Sequence, residues 1–121
     1  MTDLEVDEAD HGEVAVLALR GELDLATVPS LRDRLLDAVR THRSVILDLA
    51  GLGFLDSTGL GLLVSAVKRL QAHDGTLVVA APSPAVQRLL EVSGLDAHLV
   101  VRPTSEAALE EALARPTRDE R

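Results

Sequence analysis

Apolar spacing along the chain alternates between a period of two and a period near 3.6, and each change of period marks a new element. Leu4 to Glu8 and Glu13 to Arg20 flank the turn Asp10-His11-Gly12, which predicts two strands joined as a hairpin. From Thr27 the spacing becomes helical. Val28, Leu31, Leu35 and Val39 share one face, with Thr27 as candidate N-cap and Pro29 tolerated in the first turn. Ser44 to Ala50 is nearly continuous in apolar residues apart from Asp48, as expected for a strand covered on both faces. A loop from Gly51 to Leu55 then leads into a helix from Ser57 to Ala72. Its expected buried stripe is Leu60, Leu63, Val64, Val67 and Leu70. Asp74-Gly75 ends this helix, with Gly75 suited to the left-handed conformation.

Thr76 to Ala81 reads as a strand, and Ser83-Pro84 opens a third helix in an N-cap–N1 arrangement, with Val86, Leu89 and Leu90 inward and Gly94 as its stop. Ala97 to Val101 reads as a short strand. Thr104 to Ala114 reads as a last helix in which Leu109 and Leu113 sit one turn apart. Residues 115–121 are polar apart from Pro116 and are expected to form a disordered tail. The order is β-β-α-β-α-β-α-β-α. Strands joined by helical crossovers lie parallel, with right-handed connections. The expected fold is a single α/β domain over residues 4–114: a mixed, mostly parallel sheet of about four or five strands with about four flanking helices.

A length of 121 residues suits one domain with its own core. Phe54 is the only aromatic residue, so Leu, Val and Ala must fill the interior. The absence of cysteine excludes disulfides, thiolate metal sites and cysteine nucleophiles. The N-terminus lacks the basic start and apolar block of a secretory signal. The longest apolar run, Leu60 to Val67, is broken by Gly61 and Ser65 and falls short of the roughly 20 residues that span a bilayer. A cytoplasmic protein without membrane contact is expected. The net charge of −8, with scattered basic residues, argues against a nucleic-acid or anionic-membrane surface. One Phe supplies no stacking platform for single strands. Another protein is the expected partner.

Enzymatic patterns fail on inspection. Gly51, Gly53, Gly59 and Gly61 fit neither phosphate-binding glycine pattern, and no lysine lies among them; tight turns and close helix–sheet packing are the expected reason for them. Leu55 stands where a nucleophile elbow around Ser57 would need glycine. His11, His42, His73 and His98 are far apart, and none pairs at metal-ligand spacing; His98, at the start of a predicted strand, is a candidate for partial burial. Asp37, Glu91, Glu106, Glu110 and Glu111 sit on polar helix faces or near helix starts, as solvated charges do. No catalytic constellation, metal site or cofactor site emerges.

The remaining feature is the junction Asp56-Ser57-Thr58-Gly59. Asp and Ser at a helix start accept hydrogen bonds from the free N–H groups there, so Asp56 can cap and Ser57 can simply begin the helix. Gly59 and Gly61 in the first turns each cost up to about 1 kcal/mol relative to Ala, which suggests close approach to the backbone. The residues alone leave helix start and docking or modification site both open. Phosphate suits the place, because a helix N-terminus carries partial positive charge and unpaired donors. A phosphoserine there would leave the domain folded while adding about −1.5 to −2 charges to a docking surface.

The block Val45-Ile46-Leu47-Asp48-Leu49, Gly51-Leu52 and Phe54-Leu55-Asp56-Ser57-Thr58-Gly59-Leu60-Gly61 resembles the central motif of bacterial anti-sigma factor antagonists of the STAS superfamily. Gly21-Glu22-Leu23-Asp24 matches that family's other marker, the loop after the second strand. Ser83-Pro84-Ala85-Val86 and Ser93-Gly94-Leu95 sit where the family has similar segments, and the resemblance runs from Leu4 to Leu113. It implies a non-enzymatic regulator that binds an anti-sigma factor, itself a serine protein kinase, and so frees a sigma factor. The kinase would inactivate it by phosphorylating Ser57, and a serine phosphatase would reverse this. Asp56, Thr58 and Gly59 would frame the acceptor, with Asp24 beside it on the partner-binding surface. No nucleic acid, membrane, metal or cofactor is implied, and the free protein is expected to be a monomer. Thr58 stands where some members have a second Ser, and Leu25-Ala26 replaces more polar residues in the first loop, which bears on partner identity. Two other readings are a STAS scaffold subunit of a larger signalling or transport complex that is never phosphorylated, and a nucleotide-binding domain using the glycine cluster. The missing lysine makes the last the weakest.

Overall fold

A computed structural model describes residues 3–115. The predicted hairpin forms, but its turn is Gly12-Glu13: Asp10 and His11, expected in the turn, pair with Ala15 and Val14 as strand. Gly12 takes φ +77° and donates its N–H to Asp10 Oδ1 at 2.9 Å, closing the turn between β1 (Leu4–His11) and β2 (Val14–Leu23). These two strands pair antiparallel, from Leu4 opposite Gly21 to His11 opposite Val14. Strands β3 (Ser44–Leu55), β4 (Thr76–Ala80) and β5 (Val100–Arg102) add in parallel, giving one sheet in the order β1-β2-β3-β4-β5. Each parallel step needs a helical return, supplied by α1 (Val28–Thr41), α2 (Ser57–Gln71) and α3 (Pro84–Val92), with α4 (Ser105–Ala114) following β5.

The helices divide unequally over the sheet. Leu17 and Leu19 of β2, Val45 and Leu47 of β3, and Leu77 and Val79 of β4 share one core with Leu31 and Leu35 of α1, Leu63 and Leu70 of α2, and Leu90 of α3. On the opposite face Val14, Ile46 and Val78 meet Ala108 and Ala112 of α4. Cover on both sides accounts for the unbroken run Val45-Ile46-Leu47. Full burial of each leucine stabilises by roughly 1.5–3 kcal/mol, so an aliphatic interior suffices without aromatic mass.

Several expectations are corrected. The predicted loop Gly51 to Leu55 is strand, and β2 likewise runs past Arg20 to Leu23. The two glycine-bearing ends satisfy each other's backbone groups, with Gly21 paired to Leu52, Glu22 to Phe54 and Leu23 to Leu55 across register shifts. The buried face of α2 is rotated toward its small residues. Gly59, Leu62, Leu63, Ala66, Val67 and Leu70 are buried, whereas Leu60 and Val64 lie half-buried at the margin. At the end of α2 the left-handed residue is Asp74, with φ 62°, and not Gly75. Gly75 is required for space, since a Cβ there would stand 2.6 Å from the Arg43 carbonyl oxygen and 2.8 Å from Leu70 Cδ2.

The fifth strand starts later than Ala97. Gly94, at φ +79°, stops α3, and Leu95 turns back into the core through a 3₁₀ turn, Leu95–His98, which leaves His98 exposed. Strand β4 ends one residue early, because Ala81 takes φ 54°. In α4 the buried residues are Ala108 and Ala112, while Leu109 is half-buried and Leu113 exposed. Such short side chains give weak apolar cohesion, and polar contacts add to it. Arg102 Nη2 and Arg115 Nη2 donate to Glu111 Oε1 at 2.7 and 3.2 Å, and Arg43 Nη2 donates to the Ala112 carbonyl at 3.0 Å. Arg115, expected to begin the tail, is also bonded to Thr76 Oγ1 at 3.1 Å; the rest of that tail lies outside the described residues.

Candidate functional site

Parallel strands place their carboxyl ends together, and β2 and β3 end side by side where α1 and α2 begin. Asp56 is the N-cap of α2, as expected. Its backbone is extended (φ −101°, ψ −176°), and Oδ1 accepts the Gly59 N–H at 2.9 Å. The second oxygen, Oδ2, accepts the Leu25 N–H at 3.1 Å from the turn after β2. The Asp56 N–H donates to the Leu23 carbonyl at 3.1 Å. One aspartate therefore caps a helix and ties two loops together.

Ser57 is the first residue of α2 and is exposed; its hydroxyl has no hydrogen-bond partner among the described residues. Thr58 is half-buried and Gly59 buried. A Cβ on Gly59 would stand 2.8 Å from Leu23 Cγ and 3.0 Å from the Leu23 carbonyl oxygen. The close approach that the glycines suggested is thus internal at Gly59. Gly61 is exposed and has open space around it.

The Asp24 turn is built from its own side chains. Asp24 Oδ1 accepts the N–H groups of Ala26 and Thr27 at 3.0 and 3.1 Å. Thr27 takes helical dihedrals and does not cap α1 by its side chain. Its hydroxyl instead donates to the Glu22 carbonyl at 2.7 Å and accepts the Asp24 N–H at 2.9 Å. The structure brings this turn against Asp56, but through the Leu25 amide and not the Asp24 carboxylate.

Two apolar residues near the junction lie outside the sequence-predicted set. Leu25 is 73% exposed and Phe54 48% exposed, and they are two of four large apolar side chains exposed among the described residues. Phe54 also borders a groove of about 260 Å³ formed with Leu55, Ala85, Val86 and Leu89. The signal for Phe54 was its place in Leu52-Gly53-Phe54-Leu55, where the register shift lets Leu52 and Leu55 point inward and leaves Phe54 out. Residues 21–31 and 44–67 contain Glu22, Asp24, Asp48 and Asp56 but no Lys or Arg, so the segments that build the junction are uniformly acidic.

Among the described residues no three His, Cys, Asp or Glu side chains converge as a metal site. His73 Nε2 lies 2.8 Å from the Val39 carbonyl, and His42 Nε2 lies 3.3 Å from Asp10 Oδ1, both at structural positions. No helix of the described residues is long and apolar enough to cross a membrane.

A five-stranded, mostly parallel mixed sheet with four helices is the fold of a STAS domain, and residues 5–108 match the STAS domain family model. The chain belongs to this family. It is 35% identical over 95 residues to the anti-sigma-B factor antagonist of Staphylococcus epidermidis, covering 77% of this chain and 87% of that one. An anti-sigma factor antagonist from Mycobacterium paratuberculosis superimposes with a TM-score of 0.80 at 30% identity, over 89% of this chain and 92% of the other. The anti-sigma factor antagonist SpoIIAA matches in its unphosphorylated form with a TM-score of 0.80 at 26% identity, over 93% and 100% of the two chains. The phosphorylated form of this Bacillus cell fate determinant matches with 0.74 at 27%, over 89% and 99%.

Proposed function

We propose that this chain is an anti-sigma factor antagonist, a non-enzymatic cytoplasmic regulator whose partner binding is switched by phosphorylation of Ser57. The observation that carries the reading is Ser57 itself: an exposed hydroxyl, without a partner among the described residues, directly after the capping Asp56. It is supported by relatives of similar length named as anti-sigma factor antagonists, and by SpoIIAA, whose fold is found both with and without phosphate. The partner is an anti-sigma factor that is also a serine kinase, whose capture frees a sigma factor; a serine phosphatase resets the switch.

The physical basis is local. Free N–H groups and the helix dipole at the start of α2 accommodate a phosphate on Ser57 without unwinding the helix. About −1.5 to −2 added charges and the bulk of the group then obstruct any surface pressed against this junction. Asp56, Thr58 and Gly59 frame the acceptor and the Asp24 turn flanks it. The test is incubation with ATP and each anti-sigma kinase of the source organism, followed by mass-spectrometric site mapping. Phosphate on Ser57 and loss of kinase binding are expected; modification elsewhere, or none, overturns the assignment.

A further inference from the structure

We propose that Leu25 is a specificity-determining anchor of the docking surface around Ser57, and that Asp56 is the residue that positions it. The inference rests on the reading of Ser57 as the switch and adds what the kinase must offer there: an apolar socket rimmed by basic groups.

A singly exposed leucine is ordinary on a protein surface. Leu25 differs in how its backbone is held. Its own N–H is bonded to Asp56 Oδ2, and the next two N–H groups are bonded to Asp24 Oδ1. Thr27, two residues on, is buried and locked to the Glu22 carbonyl. An apolar side chain 73% exposed on so constrained a turn has little backbone entropy left to lose on docking, which is how a few residues come to dominate an interface. Phe54 stands at the end of the adjacent strand, since Glu22 pairs with Phe54. Leu25 thus lies in the turn just beyond β2, and Phe54 near the end of the neighbouring β3, which leads into the Asp56-Ser57 junction. A phosphate on Ser57 would arise in the same region.

Charge selects the occupant. Asp24 and Asp56 stand at the junction, and residues 21–31 and 44–67 carry no Lys or Arg, so a complementary surface carries Lys or Arg around its apolar centre. A second copy of this acidic chain would oppose like charges.

The probe is each kinase that phosphorylates Ser57 in the ATP assay. Titration calorimetry compares its Kd for the unmodified protein, Leu25→Ala, Asp56→Asn and the double variant. Leu25→Ala is expected to weaken binding by about tenfold or more with an unchanged Tm, and to raise KM but not kcat for Ser57 phosphorylation. Asn at 56 can still accept from Gly59 N–H with its carbonyl, but it then turns an NH₂ group toward the Leu25 N–H. Asp56→Asn should therefore weaken binding and speed hydrogen exchange at the Leu25 amide, and add little once Leu25 is already Ala. An unchanged Kd for Leu25→Ala overturns the anchor. Fully additive losses overturn the positioning role. Ser57 phosphorylated normally beside a neutral Leu25→Ala sinks this inference alone, whereas the absence of any kinase that modifies Ser57 sinks the functional reading with it. Concentration-dependent self-association abolished by Leu25→Ala would assign the anchor to a second copy and overturn the kinase as occupant.

Discussion

Gly59 packs so tightly on Leu23 that a Cβ at position 59 would stand 2.8 Å from Leu23 Cγ, and only 2.6 Å from Leu55 Cδ1. Leu23 and Leu55 are the paired last residues of β2 and β3, so the first turn of α2 is seated directly on the ends of two strands. That seat sets the height at which Asp56 and Ser57 stand. It also opposes local preference, because glycine in a helix costs about 1 kcal/mol relative to alanine.

Gly59 and Gly61 should consequently respond in opposite ways to the same substitution. Gly59→Ala forces Leu23 and Leu55 apart and is expected to destabilise by about 1–3 kcal/mol, less the helical gain. Gly61→Ala meets nothing within 4 Å and is expected to stabilise by about 0.5–1 kcal/mol. Urea unfolding midpoints of the two variants provide the comparison, and equal shifts would refute the packing account.

Asp56→Ala removes the cap of α2 and the tie to the Leu25 turn together. A lost N-cap costs about 0.5–2 kcal/mol, and the expected loss lies in the upper part of that range because the Leu25 N–H also loses its acceptor. Thermal unfolding measures the sum, and amide exchange should show both the Gly59 and Leu25 N–H groups exchanging faster.

Ser57→Ala should be close to neutral for folding, within about 0.5 kcal/mol, because the hydroxyl is exposed and has no partner among the described residues. The variant should bind the kinase and resist inactivation by ATP, whereas Ser57→Asp should bind more weakly. Phosphorylated and unmodified protein should give similar circular dichroism spectra. A large loss of helix on phosphorylation would mean that the switch works by unfolding.

The clamp on α4 carries a pH signature. The Arg102 guanidinium, bonded to Glu111 and reinforced by Arg115, holds the Glu111 carboxyl below its ordinary value of 4.5. A carboxyl with a depressed folded-state pKa contributes stability at pH above that ordinary value, and the contribution fades as pH falls through the folded pKa. Its side chain is 37% exposed, so solvent screening keeps the effect small. Glu111→Gln should lower the urea midpoint at neutral pH, with the difference from the unmodified chain shrinking below pH 4.5. A difference that persists in acid would assign the effect to packing.

Much of this architecture is legible before any coordinates. The hairpin, the α1 face, Val86 and Leu90 of α3, and the caps Asp56 and Ser83 depend on neighbours within a few residues, and the structure bears them out, with Leu89 half-buried and the turn shifted to Gly12-Glu13. Ser83 Oγ, for instance, accepts the Val86 N–H at 3.2 Å. The errors fall where a distant segment decides. Gly51 to Leu55 resembles a loop because glycine weakens strand propensity, yet it is strand because Gly21 to Leu23 supplies its partners. Gly75 looked like a left-handed residue, but the space it leaves is taken by Arg43, far away in the chain.

The candidate site divides the same way. The residues around Ser57 already show Asp56 as the cap of a helix beginning there, and the family resemblance puts Asp24 in a loop; both are built from hydrogen bonds a few residues long. Tertiary packing adds that Asp56 reaches across to the Leu25 amide, that the close helix–sheet approach expected of the glycines falls at Gly59 against Leu23 and Leu55, and that Leu25, in the turn after β2, and Phe54, near the end of β3, face solvent. Those relationships follow from the parallel register of β2 and β3. That register is fixed by two strands pairing across an intervening helix, and no local pattern around Ser57 encodes it.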